Sequence, residues 1–532
     1  MSQRFAERVS ATRDSRAAHW ILAHAGLTAA AGWGLVWCLL ITTGQQYRLR
    51  VLYAGWNMTP YDALVDDPFG SVWNTHIQPP LWNLQTGLIG AWSPFSSVVS
   101  HGSMSMIAGC LLAGAICATL VHLGASRPVA WGLTAAATLN TQVLQLAFEP
   151  KYDLAVAALL AGLVWSVARL DPTRRDARGL LLPVVIATAL VMTRTLYHPA
   201  WLLSVLLVIG WQWREQLDRR RILMLTAVPL LVVGGWTAKN QVSFDEPALS
   251  SWTGMNLLRS TAPVVGPDRI AELRDEGVVS DVAATGFFRF YDEYAAWNPT
   301  CDVDAAAHPA LAEETRDIPD SVRTGGVFDA PTTANYNYRC YLAVYDQAGS
   351  DALALMVNEP GAWFTGRVWA LNNWYQTPSA STGDTSPLWR PMEQISRVML
   401  LSVGHPGLPD DWDDDSLWVH RGPWSITIVA TTVALLLATI RVLFGGHATE
   451  HHERRRTTTL SVASMIVIWT TVVGIVAELG EQERFRAVTD PIVIALGGLV
   501  LLDAFRTRRV RRRVAKETGS TPAIDVPSTV GD

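Results

Sequence analysis

Three polar clusters stand where apolar segments end: His76-Ile77-Gln78-Pro79-Pro80, Arg194-Thr195-Leu196-Tyr197-His198-Pro199 and Glu483-Arg484-Phe485-Arg486. A fourth, Glu149-Pro150-Lys151-Tyr152-Asp153, joins two apolar runs through alternating charge. Arginine pairs bidentately with phosphoryl oxygens and histidine can donate to them, so basic groups converging on one site would grip a phosphate. Carboxylates opposite would complete a site for displacing a phosphate leaving group by a hydroxyl, and a lipid-phosphate sugar meets those requirements. Between the first two apolar segments lie Asp62 and then Asp66-Asp67-Pro68. Adjacent carboxylates can share a raised-pKa proton, bind a divalent cation such as Mg or Mn, or orient a hydroxyl nucleophile. The same residues also read as a solvated turn, Glu149 to Asp153 as a salt-bridged helix cap, and Arg194 and His198 as anchors reaching for headgroups. This chemistry requires no cofactor, and the spacing demands no metal.

The elements that must position these groups are apolar and nearly charge-free. Mean hydropathy is only +0.18 and 17% of residues are charged, yet the polar residues concentrate in the tails and one long loop. The blocks between them predict an all-α polytopic membrane protein of about ten spans with a mixed exported loop domain. The spans run over 21–43, 103–122, 129–148, 154–167, 179–193, 201–213, 222–236, 425–443, 458–476 and 487–505. The domain plan is a cytoplasmic segment 1–20, helices one to seven over 21–237 with an exported loop 44–101, an exported cap 238–422, helices eight to ten over 423–505, and a basic tail 506–532.

Short cytoplasmic loops retain Lys and Arg, and this plan puts 24 of the 42 basic residues inside, with both termini cytoplasmic. All four polar clusters then fall on the exoplasmic face. Residues 179–213 have arginine-rich flanks, so the chain crosses twice there. Two crossings of about fifteen residues reach only ~22 Å against a ~30 Å hydrocarbon core, which sinks the turn carrying Arg194 and His198 below the outer surface. Charge at that depth is expensive and marks function. Arg484 and Arg486, in a minimal outer loop with Glu481 and Glu483, depart from the positive-inside tendency and imply acidic partners.

The cap 238–422 holds 26 acids against 12 bases, whereas the whole chain has a net charge of −5. An acidic, solvated cap excludes nucleic acid as a partner. Cys38, Cys110 and Cys117 fall in spans, while Cys301 and Cys340 share the exported loop, where a disulfide is expected. The first apolar run is long and lacks a small-residue cleavage site, so no cleavable signal peptide is read. Leu81 to Trp92 predicts an amphipathic helix along the interface.

The order of parts resembles that of the GT-C superfamily of polyprenyl-phosphate-sugar-dependent glycosyltransferases. The matching residues are the acidic first loop followed by Pro79 to Leu81, the charged connector Glu149 to Asp153, the Lys239-Asn240 pair ending span seven, and Glu483-Arg484-Phe485-Arg486 before Pro491. The resemblance implies an inverting transfer to a cell-envelope glycan, lipid or protein. It implies Asp66 or Asp67 as catalytic base with Asp62 in reserve. His76, Lys151, Arg194, His198, Arg484 and Arg486 become lipid-phosphate contacts, supported by Gln78, Glu149, Asp153, Lys239 and Glu483. One departure stands out: 44–56 contains no acid, where many members carry their base. High Ala, Arg and Trp with little Lys fits a high-GC bacterium such as an actinomycete, for which the resemblance implies decaprenyl-linked donors.

Two other classes fit parts of the pattern. A transporter or flippase of lipid-linked sugars would also bury charge, but it commonly shows paired halves with broken helices, and no halves match here. A non-catalytic envelope glycan-binding protein would use cap tryptophans, among them Trp363, Trp369, Trp374, Trp412 and Trp418, to stack on sugars; these also read as core or interface anchors.

Overall fold

The computed structural model describes residues 24–55, 59–170, 178–212, 219–298, 301, 303, 307–323, 330–377, 386–403, 424–444 and 451–518. The segment 1–20, the arginines at 174, 175 and 214, Trp412, Trp418 and the tail beyond 518 lie outside them.

The described chain is mostly helical. Apolar helices α1 (Ala25–Thr42), α2 (Ser97–His122), α3 (Arg127–Thr138), α4 (Tyr152–Ala168), α5 (Arg178–Val191), α6 (Pro199–Gln212) and α7 (Arg219–Phe244) come first. Three described helices are long and apolar enough to cross a membrane: Ala25–Thr42, Ser97–His122 and Glu453–Val476. Tyr152–Ala168, Gly179–Val191, Pro199–Trp211 and Ile426–Arg441 are apolar but shorter.

Small residues let these helices approach closely, as is usual where lipid supplies no hydrophobic drive between them. A Cβ on Gly109 of α2 would lie 2.0 Å from the Trp33 ring of α1, so only glycine leaves a slot for that indole. Trp33 Nε1 donates to Thr138 O at 3.2 Å, tying α1 to α3 as well. The third span ends earlier than the hydropathy suggests. Asn140 caps a separate short helix, Thr141–Leu146, by accepting from Val143 N at 3.1 Å, and this turns the chain toward Glu149.

The segment after α7 is built on α8 (Thr253–Val265), α9 (Tyr341–Asn358) and α10 (Pro360–Trp374), with an antiparallel pair β1 (Thr315–Asp317) and β2 (Thr332–Ala334). Gly254 of α8 packs on α9 so tightly that a Cβ would sit 2.1 Å from Tyr345 O. Trp252, Phe288 and five tyrosines (Tyr291, Tyr294, Tyr336, Tyr341, Tyr345) are packed into its core. A disulfide joins Cys301 to Cys340.

Two clamps fasten this region to the rest. His76 is fully buried, its Nδ1 2.7 Å from Ser251 Oγ and its Nε2 3.0 Å from Asn337 O. Arg367 of α10 donates to Ile475 O, Val476 O and Glu478 O, and to Ser260 O of α8. It thereby satisfies the orphan carbonyls at the end of α12 (His451–Val476), which follows α11 (Ile426–Phe444). The last apolar stretch is not one even helix. Gln482–Ala487 and Asp490–Ile492 precede a π-helical turn, Val493–Gly497, and then α13 (Gly498–Thr518). A Cβ on Gly497 would meet Thr431 O of α11 at 2.2 Å, so the irregular turn lies where two helices press together.

Candidate active site: a cationic cavity around Asp153

Asp153 opens α4 and is completely buried. Its Oδ1 accepts from Arg194 Nη1 at 2.9 Å and its Oδ2 from Arg484 Nε at 2.9 Å. One carboxylate thus holds two guanidiniums from distant parts of the chain, leaving the trio with an excess positive charge. The Tyr152 ring lies 5.0 Å from Arg194 Cζ and 5.5 Å from Arg484 Cζ, and the Phe485 ring lies 4.4 Å from Arg194 Cζ. Ring faces favour cations and exclude water, so both guanidiniums are oriented as well as paired. Nη2 of Arg194 and Nη2 of Arg484 are nevertheless buried without a hydrogen-bond partner.

Local folding explains how Arg194 arrives there. The turn between α5 and α6 is roofed by the helix Pro80–Trp92, whose Leu81 N donates to Met192 O at 2.8 Å, and Trp469 Nε1 donates to Leu196 O at 2.7 Å. Arg194 is only 2% exposed. Arg194, Leu196 and Tyr197 of the turn are buried; the N–H groups of Thr193 and Arg194 donate to Leu190 O, and that of Tyr197 to Arg194 O.

Both arginines line a cavity of about 1550 Å³ together with Gln78, Lys151, His198, Arg259, Glu478 and Glu481. Lys151 Nζ lies 2.8 Å from Glu149 Oε2, and Arg48 Nη1 lies 2.9 Å from Glu149 Oε1. Burial pushes the Glu149 carboxyl up, but Lys151 and Arg48 outweigh it and hold it below the usual range. On another wall Arg259 Nη1 lies 3.3 Å from Glu478 Oε1 and 3.5 Å from Glu481 Oε2, and Arg484 Nη1 reaches Glu481 Oε1 at 3.3 Å. The two glutamates split. Burial pushes Glu478 up against the pull of Arg259, whereas at Glu481 burial is overcome by Arg484 and Arg259, which bring it down.

The other residues singled out in the sequence lie elsewhere. Asp62, Asp66 and Asp67 are exposed and do not line the cavity. Burial, then Asp66 and Asp317, push the Asp62 carboxyl up. Asp67 Oδ1 accepts from Gly70 N at 2.9 Å, capping the helix Pro68–Trp73, and its Oδ2 lies 3.7 Å from His308 Nε2. His76 is spent on the clamp, where burial drives its pKa down to about 3. Lys239 donates to Thr75 O at 3.3 Å and Asn240 Oδ1 at 3.1 Å, between the rings of Trp73, Trp236 and Phe244. Arg486 is buried and donates to Trp374 O, Gln376 O, Gln142 Oε1 and Asp490, so its donors face protein. Glu483 is pushed up to about 7 by burial, and its carbonyl accepts from Gln142 Nε2 at 2.7 Å. Among the described residues no group of three His, Cys, Asp or Glu could hold a metal ion.

Sequence reasoning missed Arg48 and Arg259. Arg48 carried a usable signal, since it is a basic residue in a loop assigned outside, the same feature that singled out Arg484. Arg259 sits in α8 and reaches the cavity only through the tertiary fold.

No protein-family model matches the chain, and no curated protein matches it. Among solved structures, the archaeal oligosaccharyltransferase AglB from Archaeoglobus fulgidus, in complex with an inhibitory peptide and a dolichol-phosphate, is similar over 96% of this chain and 53% of its own, at 12% identity and a TM-score of 0.41. The apo form of an oligosaccharyltransferase from the same organism gives 10% identity and a TM-score of 0.37 over 92% of this chain and 52% of its own. ArnT from Cupriavidus metallidurans gives 12% identity and a TM-score of 0.29 over 89% of this chain and 77% of its own. The chain spans about half the length of the oligosaccharyltransferases it matches. At such scores these likenesses carry no weight for function, and the cavity residues must supply it.

Proposed function

We propose that the chain is an integral membrane glycosyltransferase that moves a sugar from a polyprenyl-phosphate donor to a cell-envelope acceptor on the exoplasmic face, with inversion. The observation that carries this reading is the pair Arg194 and Arg484, held on Asp153 in a large cavity with one Nη2 of each buried and unpartnered. Leaving such a donor unpaired costs about 1–3 kcal/mol, so the site is built to receive an acceptor atom. A phosphate oxygen fits both the charge and the fork geometry. The volume exceeds the roughly 300–1,000 Å³ of a one-ligand pocket and suits a donor headgroup and an acceptor together.

The acceptor hydroxyl attacks the anomeric carbon as the bond to the phosphate oxygen breaks. The electron pair stays on that oxygen, whose charge Arg194 and Arg484 neutralise in a water-poor setting. Glu478 receives the hydroxyl proton in this reading, because it lines the cavity with its Oε1 3.3 Å from Arg259 Nη1, and burial raises its proton affinity. The base role suggested by resemblance for Asp66, Asp67 or Asp62 finds no such support in their exposed positions. No step runs through a metal.

Proteoliposomes charged with a radiolabelled polyprenyl-phosphate sugar test the proposal. Arg194→Ala and Arg484→Ala each abolish donor consumption. Glu478→Gln retains donor binding but loses transfer, while Asp66→Asn and Asp67→Asn keep it. Transport of intact donor across the vesicle without consumption would replace the enzyme by a flippase.

A further inference from the structure

The acidic excess of the long segment after α7 does not run through all of it. Residues 238–352 carry 18 acids against 8 bases, whereas 353–403 carry Glu359, Asp384 and Glu393 against Arg367, Arg390 and Arg397. The outward face of α9 changes at the same point. It shows Asp346 and Ser350, then Leu353 and Val357, both apolar and each more than half exposed.

α10 carries on this bare surface. Phe364 and Val368 are more than half exposed and Leu371 is exposed too, at spacings of four and three that put all three on one side of the helix. Thr365, exposed among them, turns its hydroxyl inward to Gly361 O at 2.9 Å. The single charge of α10, Arg367, is buried on the opposite side and donates to Ile475 O and Val476 O of α12. A Cβ on Gly474 of α12 would lie 2.3 Å from the Trp374 ring, so α10 is laid across the last turn of that helix. On either side of Gly474 in sequence, Val472 and Val476 are exposed, and α12 is one of the helices long and apolar enough to cross a membrane.

The helix Trp389–Met399 repeats the arrangement at other helix ends. Inward, Trp389 meets the Phe148 ring edge-on at 6.3 Å and Ser396 Oγ accepts from Thr141 N at 3.3 Å, while Ser386 Oγ, just ahead of the helix, lies 2.7 Å from Thr43 Oγ1 at the end of α1. Outward, Ile395 and Val398, followed by Leu401, are more than half exposed, with Arg390 and Arg397 exposed beside them. Scattered apolar residues on a surface need no explanation, but two helices that each turn an apolar face outward do.

We infer that α10 and the helix Trp389–Met399 lie in the membrane–water interface at the cavity end of the apolar helices, with lipid against Phe364, Val368, Ile395 and Val398. This rests on the membrane reading of α1 and α12. A bilayer covers both faces at once, since they begin at the ends of two helices that would cross it. Arginines flanking an apolar face extend their stems along it and reach lipid phosphates, the habit of interfacial helices. The pair Arg269–Glu359, at 2.7 Å on the corner between α9 and α10, then stands at headgroup level. Residues 353–403 thus leave the solvated cap. The surface also bears on the cavity, because Arg486 donates to Trp374 O and Gln376 O from the same short helix that carries Arg484.

The test places the full-length protein, with Cys38, Cys110 and Cys117 changed to Ala, in nanodiscs of phosphatidylcholine and phosphatidylglycerol. Single nitroxide labels go on Phe364→Cys, Val368→Cys, Ile395→Cys and Val398→Cys, with Asp346→Cys as the water reference and Val472→Cys as the lipid reference. Collisions are measured with oxygen, which concentrates in the bilayer, and with a nickel chelate, which stays in water. The oxygen-to-nickel ratio at all four sites should exceed that at Asp346→Cys by roughly fivefold or more and approach that at Val472→Cys. Ratios equal to the water reference, with Val472→Cys still lipid-like, would overturn the inference and leave the membrane reading standing. A water-like Val472→Cys would remove the membrane reading and the inference with it. Protection from both reagents, with dipolar broadening between labels, would put a second copy of the chain on these faces and overturn it as well.

Discussion

Replacing Asp153 by Asn separates two roles that its position allows. As a charge, Asp153 offsets part of the cationic field, so removing it would raise the cavity's affinity for anions. As a fastener, it sets the angle of Arg194 through Oδ1 and of Arg484 through Oδ2, and asparagine can keep only one acceptor. Breaking a buried ion pair from one side costs about 3–5 kcal/mol, because the remaining charge is left uncompensated. Arg194 is 2% exposed and has Asp153 as its paired carboxylate, so it bears that penalty nearly in full, while Arg484 is 23% exposed and keeps Glu481. The expected loss of folding stability is therefore about 3 kcal/mol, at the low end of that range. Isoprenyl phosphate should bind the folded variant more weakly than the parent despite the extra positive charge, since the fork geometry is gone. Denaturant unfolding of the solubilised protein gives the first quantity, and titration with farnesyl phosphate followed by calorimetry gives the second. An unchanged midpoint together with tighter phosphate binding would refute the fastener role and leave Asp153 as a mere counter-charge.

Three further outcomes follow from the same contacts. Arg486→Ala should destabilise the fold by about 3 kcal/mol or more, because Asp490 and two carbonyls lose their donor, yet in any surviving protein farnesyl phosphate affinity should change less than in Arg194→Ala; comparing unfolding midpoints with the Kd for farnesyl phosphate checks this. His76 has a folded pKa of about 3, below its unfolded value, so the unfolded chain takes up the proton first and stability drops by up to about 1.4 kcal/mol per pH unit as pH falls from about 6.5 toward 3; His76→Gln should flatten that slope in pH-dependent unfolding. Removing the Cys301–Cys340 bridge, which spans a sequence separation of 39, should destabilise the region packed on α8 and α9 by about 4 kcal/mol on loop-entropy grounds, seen as faster limited proteolysis of 238–422 in the Cys301→Ser, Cys340→Ser protein.

What the sequence could tell, and what it could not, follows from how each residue is constrained. Arg194 and Arg484 are conspicuous in the sequence because each breaks a rule locally: charge in a turn between two short apolar runs, and basic residues in a short connector that the positive-inside tendency would assign outside. Asp153 was visible as part of a charged connector, but its pairing with residues 41 and 331 positions away is a tertiary fact that no local pattern carries. Arg486 illustrates a different limit. It lies two residues from Arg484 on the helix Gln482–Ala487, and residues at that spacing point to different faces, so one arginine can meet the cavity while the other is driven into protein. The same geometry separates Asp62 and Asp66, which share an exposed face at a spacing of four, from Tyr61 and Leu64, which are buried. Helical phase, applied to the short helices as strictly as to the long apolar ones, would have split the arginine pair from sequence alone. It would not have found Arg259 or Trp252, whose places depend on α8 being pressed onto the cavity by a glycine contact at Gly254 and a guanidinium clamp from Arg367. The cation side of the cavity was therefore partly legible because membrane physics penalises charge wherever it is not needed. The side supplied by α8 was opaque, since in a polar stretch of sequence a tryptophan or an arginine violates nothing.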